Sequence, residues 1–193
     1  MQLQELVKNI QFKGTPDNRE ISFITYDSRK VKPGTLFVAI SGMQTDGHEF
    51  IPQAIENGAV AILSNGRSPK TKAVPILQVK DPRLAMSQIS AQFYGNPSEK
   101  MNIVGITGTN GKTSTATLVA SILDATGYKT AQMGTLGLIS QGNYPQEKTL
   151  TTLDQVALHK SLFDLKKDGF THVVMEVSSH SLKQCRVTDV DFN

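Results

Sequence analysis

Between Met1 and Ile10, Leu3, Leu6, Val7 and Ile10 recur at three- and four-residue spacing, which predicts a short amphipathic helix. Ile21 to Thr25 and Leu36 to Ile40 read as strands. Between them lies YDSRKVKPG, whose Pro33-Gly34 pair signals a turn. The polar loop SGMQTDGH leads to a helix over about Glu49 to Asn57, with Gly58 suited to its C-cap. Short apolar runs at Val60 to Leu63 and Ile76 to Val79 predict two more strands. Asp81-Pro82 has the form of an N-cap followed by proline at the first helical position, and Leu84, Ile89 and Phe93 give that helix a buried stripe.

The stretch GNPSEK, Gly95 to Lys100, separates two patterned regions and marks a domain boundary, giving domains 1–96 and 97–193. Beyond it, strands at Ile103 to Thr107, Thr130 to Met133 and Val173 to Val177 alternate with two helices. The first, Lys112 to Ala125, carries Leu118, Val119, Ile122 and Leu123. The second, Thr152 to Asp168, carries Val156, Leu158, Leu162, Phe163 and Leu165. Such alternation is the mark of a parallel sheet with helices on its faces. The expected class is α/β: a small N-terminal α/β domain, then a phosphate-loop domain with a mostly parallel sheet.

Composition narrows the setting. Of 193 residues 38% are apolar, enough for a packed core, and the net charge of +3 comes without a long basic run, which argues against a nucleic-acid partner. One cysteine, Cys185, permits no internal disulfide. No apolar run is long enough for a membrane span, so a cytoplasmic protein off the membrane is expected.

The sharpest chemical signal is GITGTNGKTSTATLVASIL, from Gly105 to Leu123. A glycine turn between a strand end and a helix start aims backbone N–H groups at one spot, where the helix dipole adds positive potential. Gly108, Thr109, Asn110, Gly111, Lys112, Thr113 and Ser114 are thus candidates for holding ATP. Lys112 would meet the terminal phosphates, and the Thr113 hydroxyl would ligate Mg²⁺. The usual G-x-x-x-x-G-K-[ST] pattern has glycine where this chain has Ile106. The plainer reading is a glycine turn capping an ordinary helix, and the order of strand, loop and amphipathic helix favours the phosphate site.

Other polar residues get bland readings. Ser178-Ser179-His180 lacks a G-x-S-x-G elbow, and neighbours in a strand would point to opposite faces. The four histidines lack zinc-ligand spacing; His159 is expected at a helix surface and Cys185 as a small packing residue.

The variant TGTNGKT resembles the Mur ligases of peptidoglycan synthesis. TYDSRKVKPGTLFVAISGMQTDGHEFI (Thr25 to Ile51) is similar to the uridine-nucleotide-binding domain of the MurE type. MGTLG (Met133 to Gly137) and MEVSSHSLKQCRV (Met175 to Val187) are similar to its central ATPase domain. One departure is Leu153, where the family usually has proline. The resemblance implies an enzyme, an ATP- and Mg²⁺-dependent ligase adding a third amino acid, diaminopimelate or lysine, to UDP-N-acetylmuramoyl-L-alanyl-D-glutamate through an acyl phosphate. It implies that Asp27, Ser28, Met43, Gln44 and Thr45 hold the uridine diphosphate, and that Thr151, Thr152, Ser178, Gln184 and Arg186 contact the muramoyl peptide. Glu176, at the carboxyl end of an apolar strand where parallel sheets bind ligands, is the candidate Mg²⁺ carboxylate and, with Lys112, a candidate catalytic residue. The chain is expected to be the N-terminal portion of such an enzyme, monomeric and inactive alone. Two alternatives are a free-standing phosphate-loop ATPase or kinase, and a non-catalytic UDP-sugar-binding module; loss of function in Lys112→Ala would exclude the second.

Overall fold

Phe23–Thr25 (β1), Thr35–Val38 (β2), Ala59–Ser64 (β3) and Ile76–Gln78 (β4) pair in that order, all parallel. Every residue of β2 is buried, as an inner strand covered on both faces requires. The computed structural model describes residues 1–42, 45–66, 73–140 and 151–193. They divide into two compact units, Met1–Ile89 and Ser90–Asn193. The division falls within a helix ahead of the Gly95 to Lys100 stretch.

In the first unit, Phe37, Ala39, Ala59 and Ile62 pack against Ile51 and Ala54 of Ile51–Glu56. The predicted amino-terminal helix shrinks to Leu3–Leu6 (α1), although Leu3, Leu6, Val7 and Ile10 are all buried. Its amino end is committed elsewhere: Leu3 N–H donates to Arg19 O, and Met1 O accepts from Ile21 N–H. Ile51–Glu56 (α2) follows a 3₁₀ turn, Gly47–Phe50. Gly58 closes it at φ +103, where a Cβ would also lie 2.9 Å from Pro33 Cα. The next helix, Pro82–Phe93 (α3), starts as expected: Asp81 Oδ1 accepts from the N–H groups of Arg83 and Leu84 at 2.9 and 3.2 Å.

The second unit contains Asn102–Ile106 (β5), Thr130–Gly134 (β6), Gly137–Ser140 (β7) and His172–Glu176 (β8), in the order β5-β8-β6-β7. The first three are parallel, and β7 runs antiparallel to β6. Lys112–Ala125 (α4) covers one face and Gln155–Lys167 (α5) the other. Strand alternation assigns the faces: Val173 and Met175 join Leu158, Leu162 and Leu165 of α5, while Val174 meets Ala116 and Ala120 of α4. Each of those fully buried leucines contributes about 1.5–3 kcal/mol by leaving water. The apolar residues of α4 split. Val119 and Leu123 pack against the sheet, whereas Leu118 and Ile122 are exposed.

Four expectations change. Strand β7 was not predicted; it pairs across a tight turn at Thr135 and Leu136. Helix α5 starts at Gln155 rather than Thr152, capped by Asp154, whose carboxylate accepts from Ala157 N–H at 2.9 Å. Ser179–Lys183 is a helix (α6), capped by Ser178, so the strand argument used against a Ser178–His180 pair does not apply. His159 is not at the surface: it is fully buried in α5, and neither ring nitrogen has a hydrogen-bond partner. No helix among the described residues is long and apolar enough to cross a membrane.

Candidate nucleotide and substrate site

Strand β5 ends at Ile106, and α4 begins at Lys112 with Gly111 as its N-cap at φ +78. No side chain caps this end, so the first-turn N–H groups remain available to an anion. Thr109, Asn110 and Ser114 are exposed beside it. Lys112 folds back over the loop, donating from Nζ to Gly108 O at 2.8 Å and Thr109 O at 3.4 Å.

Glu176 ends the central strand β8. It shares the parity of Val174 and therefore points to the α4 face. It is 1% exposed yet well supplied with donors. The Thr113 hydroxyl donates to Oε2 at 3.0 Å, Thr135 N–H to Oε1 at 3.0 Å, and the Thr135 hydroxyl to Oε2 at 3.3 Å. A Cβ on Gly134 would sit 2.1 Å from Oε1, so the carboxylate occupies space that only glycine leaves open. A glutamate oxygen beside a threonine oxygen at the edge of a phosphate loop fits Mg²⁺, a hard cation that takes one or two carboxylates together with substrate phosphates.

The proposed muramoyl-peptide residues form a connected group. The Thr135 hydroxyl donates to Thr151 Oγ1 at 3.2 Å. Thr152 is buried; its hydroxyl donates to Glu176 O at 2.9 Å and accepts from Ser178 N–H at 3.1 Å. Arg186 donates from Nη1 to Thr152 O at 2.8 Å, and from Nε and Nη2 to Gln184 Oε1 at 3.0 and 2.6 Å. Arg186 takes this position through a Schellman ending of α6: Arg186 N–H donates to Ser181 O and Cys185 N–H to Leu182 O. The left-handed residue of that motif is Cys185, at φ +53, where glycine is usual.

In the first unit, the loops after β1 and β2 lie at the carboxyl edge of adjacent parallel strands. Asp27 caps a 3₁₀ turn over Ser28–Lys30, and its carboxylate accepts two bonds from the Arg29 guanidinium, both 2.9 Å, which hold the carboxyl below the usual range. Ser28 is buried and Thr45 exposed. Met43 and Gln44 lie outside the described residues. Asp46 accepts from the His48 ring at 2.5 Å and from the Ser41 hydroxyl at 3.1 Å; its carboxyl is lowered to about 2, chiefly by the bond from His48.

Gly134, Thr135 and Gln155 were not singled out by sequence. Gln155 Nε2 donates to Gln184 O at 3.0 Å. The glycine and threonine lie in the quoted MGTLG motif, and the missing signal was the hairpin that brings them onto Glu176.

This fold and loop place the second unit among the phosphate-loop α/β proteins. Two family models match: "Mur ligase middle domain" over residues 106–193 and "Mur ligase family, catalytic domain" over residues 20–94. The chain belongs to the Mur ligase family. It is 44% identical over its whole length to a UDP-N-acetylmuramoyl-L-alanyl-D-glutamate--2,6-diaminopimelate ligase of Syntrophomonas wolfei, and 42% identical to one of Listeria monocytogenes. It spans about 40% of the length of these relatives. A solved structure of a ligase with the same description superposes over the whole chain, covering 39% of that structure, with a TM-score of 0.84 at 28% identity. MurF from Acinetobacter baumannii superposes over 92% of this chain and 36% of its own, at 0.64 and 25%.

Proposed function

We propose that the chain supplies the nucleotide-binding and muramoyl-peptide-binding parts of an ATP-dependent ligase that adds the third stem-peptide amino acid to UDP-N-acetylmuramoyl-L-alanyl-D-glutamate. Residues 1–96 act as the uridine-nucleotide domain and residues 97–193 as part of the ATP domain. The relatives' descriptions favour 2,6-diaminopimelate as the added amino acid.

One observation carries this reading: Thr113 of the phosphate loop and Thr151 of the proposed peptide site both reach Glu176, Thr113 directly and Thr151 through Thr135. In the reaction, a glutamate carboxylate oxygen bonds to the γ-phosphorus of ATP as the bond to the β,γ-bridging oxygen breaks, releasing ADP. The amino nitrogen then bonds to the acyl carbon, phosphate leaves, and the nitrogen gives up a proton. Phosphoryl transfer needs positioning and charge neutralisation above all. Lys112 leaves its carbonyl partners to neutralise terminal phosphate charge. Glu176 and Thr113 would hold Mg²⁺, which supplies further neutralisation. Arg186, held in place by Thr152 O and Gln184, orients the peptide carboxylate, and Asp27, Ser28, Met43, Gln44 and Thr45 anchor the uridine diphosphate.

The test is titration calorimetry of the 193-residue chain with Mg²⁺ and the non-hydrolysable AMP-PNP, then with UDP-N-acetylmuramoyl-L-alanyl-D-glutamate. Binding of both, lost for AMP-PNP in Lys112→Ala, supports the ligase reading. ATP turnover without any uridine nucleotide favours a free-standing ATPase. Uridine-nucleotide binding without nucleotide triphosphate binding favours a UDP-sugar module.

A further inference from the structure

The turn between β6 and β7 presents one exposed threonine to two groups with different proposed tasks. Thr135 Oγ1 lies 3.3 Å from Glu176 Oε2 and 3.2 Å from Thr151 Oγ1, while its N–H is committed to Glu176 Oε1. A hydroxyl carries one proton, so Oγ1 donates fully to only one of these acceptors at a time. Glu176 Oε2 already accepts from Thr113, the other oxygen proposed to hold the cation.

We propose that Thr135 is a positioning residue that couples the two ends of the site, holding Glu176 for the divalent cation and, from the same hydroxyl, holding Thr151 at the muramoyl-peptide end. The ligase reading supplies the identity of the two ligands; the coupling follows from the geometry. A cation drawing on Oε2 leaves Thr151 the better acceptor for the Thr135 proton, which steadies the segment that also carries Thr152. Order imposed on Thr151 by a bound peptide leaves the Thr135 proton with a fixed partner and Oε2 freer for the cation. Coupling of this kind is reciprocal by linkage. Gly134 keeps the arrangement close, because any larger residue would push the carboxylate away. Thr135 is exposed on a turn and contributes little to the core, so loss of its hydroxyl is separable from loss of fold.

The experiment compares wild type, Thr135→Val, Thr135→Ser and Thr151→Val in the 193-residue chain, by calorimetry with AMP-PNP. Two ratios are read: affinity with Mg²⁺ over affinity without, and affinity with UDP-N-acetylmuramoyl-L-alanyl-D-glutamate over affinity without. Loss of a group that orients a metal ligand typically costs 10- to 100-fold in metal affinity. Thr135→Val is expected to reduce the first ratio about tenfold and bring the second to one. Thr135→Ser should restore both, which a merely space-filling threonine would not require. Thr151→Val also removes a proposed peptide contact, so only retention of its second ratio is informative, and that retention counts against the coupling. If wild type shows both effects and Thr135→Val keeps them, the coupling role is overturned and the ligase reading stands. If wild type shows no Mg²⁺-dependent AMP-PNP binding, the ligase reading falls and this inference with it. Should Thr135→Val not fold, an unchanged second ratio in Thr151→Val overturns the coupling from the other side of the same hydrogen bond.

Discussion

The Thr113 hydroxyl donates to Glu176 Oε2 at 3.0 Å, joining the start of α4 to the end of β8 across 63 residues of sequence. Glu176→Gln keeps the shape of the side chain but replaces one acceptor oxygen by an amide that faces Thr113 and Thr135 as a second donor. We expect Mg²⁺-dependent AMP-PNP binding to fall at least tenfold, measured by calorimetry. Retention of wild-type affinity would remove Glu176 from the metal site.

Gly134 allows the close approach of the Glu176 carboxylate. In Gly134→Ala the new Cβ meets Oε1 at 2.1 Å, and the contact is relieved by moving the carboxylate rather than the strand. The expected result is a folded protein, with circular dichroism like wild type, whose Mg²⁺-dependent nucleotide affinity drops as in Glu176→Gln. Full affinity in a folded Gly134→Ala would show that the position of the carboxylate is not critical.

Cys185 holds a left-handed conformation, φ +53, that carries a cost for any residue with a Cβ. Cys185→Gly is expected to raise stability by up to about 1 kcal/mol, since relief of strain outweighs the added freedom of the unfolded chain. Cys185→Val, β-branched at a positive φ, should lower it by more than about 1 kcal/mol and weaken binding through Arg186, the next residue. Urea denaturation of the three proteins gives the order directly. A less stable Cys185→Gly would mean that the thiol makes packing contacts worth more than the strain.

Much of this architecture is legible along the chain because local chemistry and burial agree. The bounds of α4 follow from Gly111 and the apolar spacing, and α3 from the Asp81-Pro82 cap; β8 is an apolar run, as an inner parallel strand must be. The elements that sequence missed are set by pairing and by contacts that local pattern does not show. Strand β7 exists because it pairs with β6, and GLIS, four residues long and opened by a glycine, is too short to show a pattern of its own. Thr152 lies three residues before α5, and its hydroxyl is taken by Glu176 O and Ser178 N–H, which holds it out of the helix. His159 sits on the same side of its helix as Leu158, Leu162 and Leu165, and polarity alone suggested the surface. In the candidate site, the residues carried by motifs were readable, whereas Gly134 and Thr135 gain meaning only from their distance to Glu176.

His159 gives stability a dependence on pH. Burial disfavours the charged ring and pushes its pKa down from 6.5 to about 4. An unfolded chain binds the proton below about pH 6.5, whereas the folded one refuses it until about pH 4. The stabilisation linked to neutral His159 is therefore fully present above 6.5 and is lost progressively as pH falls toward 4, in total on the order of 3 kcal/mol. His159→Leu removes both the proton site and two buried nitrogens without partners, and replacing such groups by apolar ones is close to neutral or stabilising. Urea denaturation between pH 4 and 7 should show a shallower decline for His159→Leu than for wild type, with equal or greater stability at pH 7. Carboxylates titrating in the same range contribute to both proteins alike, so the difference between the curves isolates the histidine. Parallel curves would mean that the imidazole is protonated in the folded chain and has a partner there.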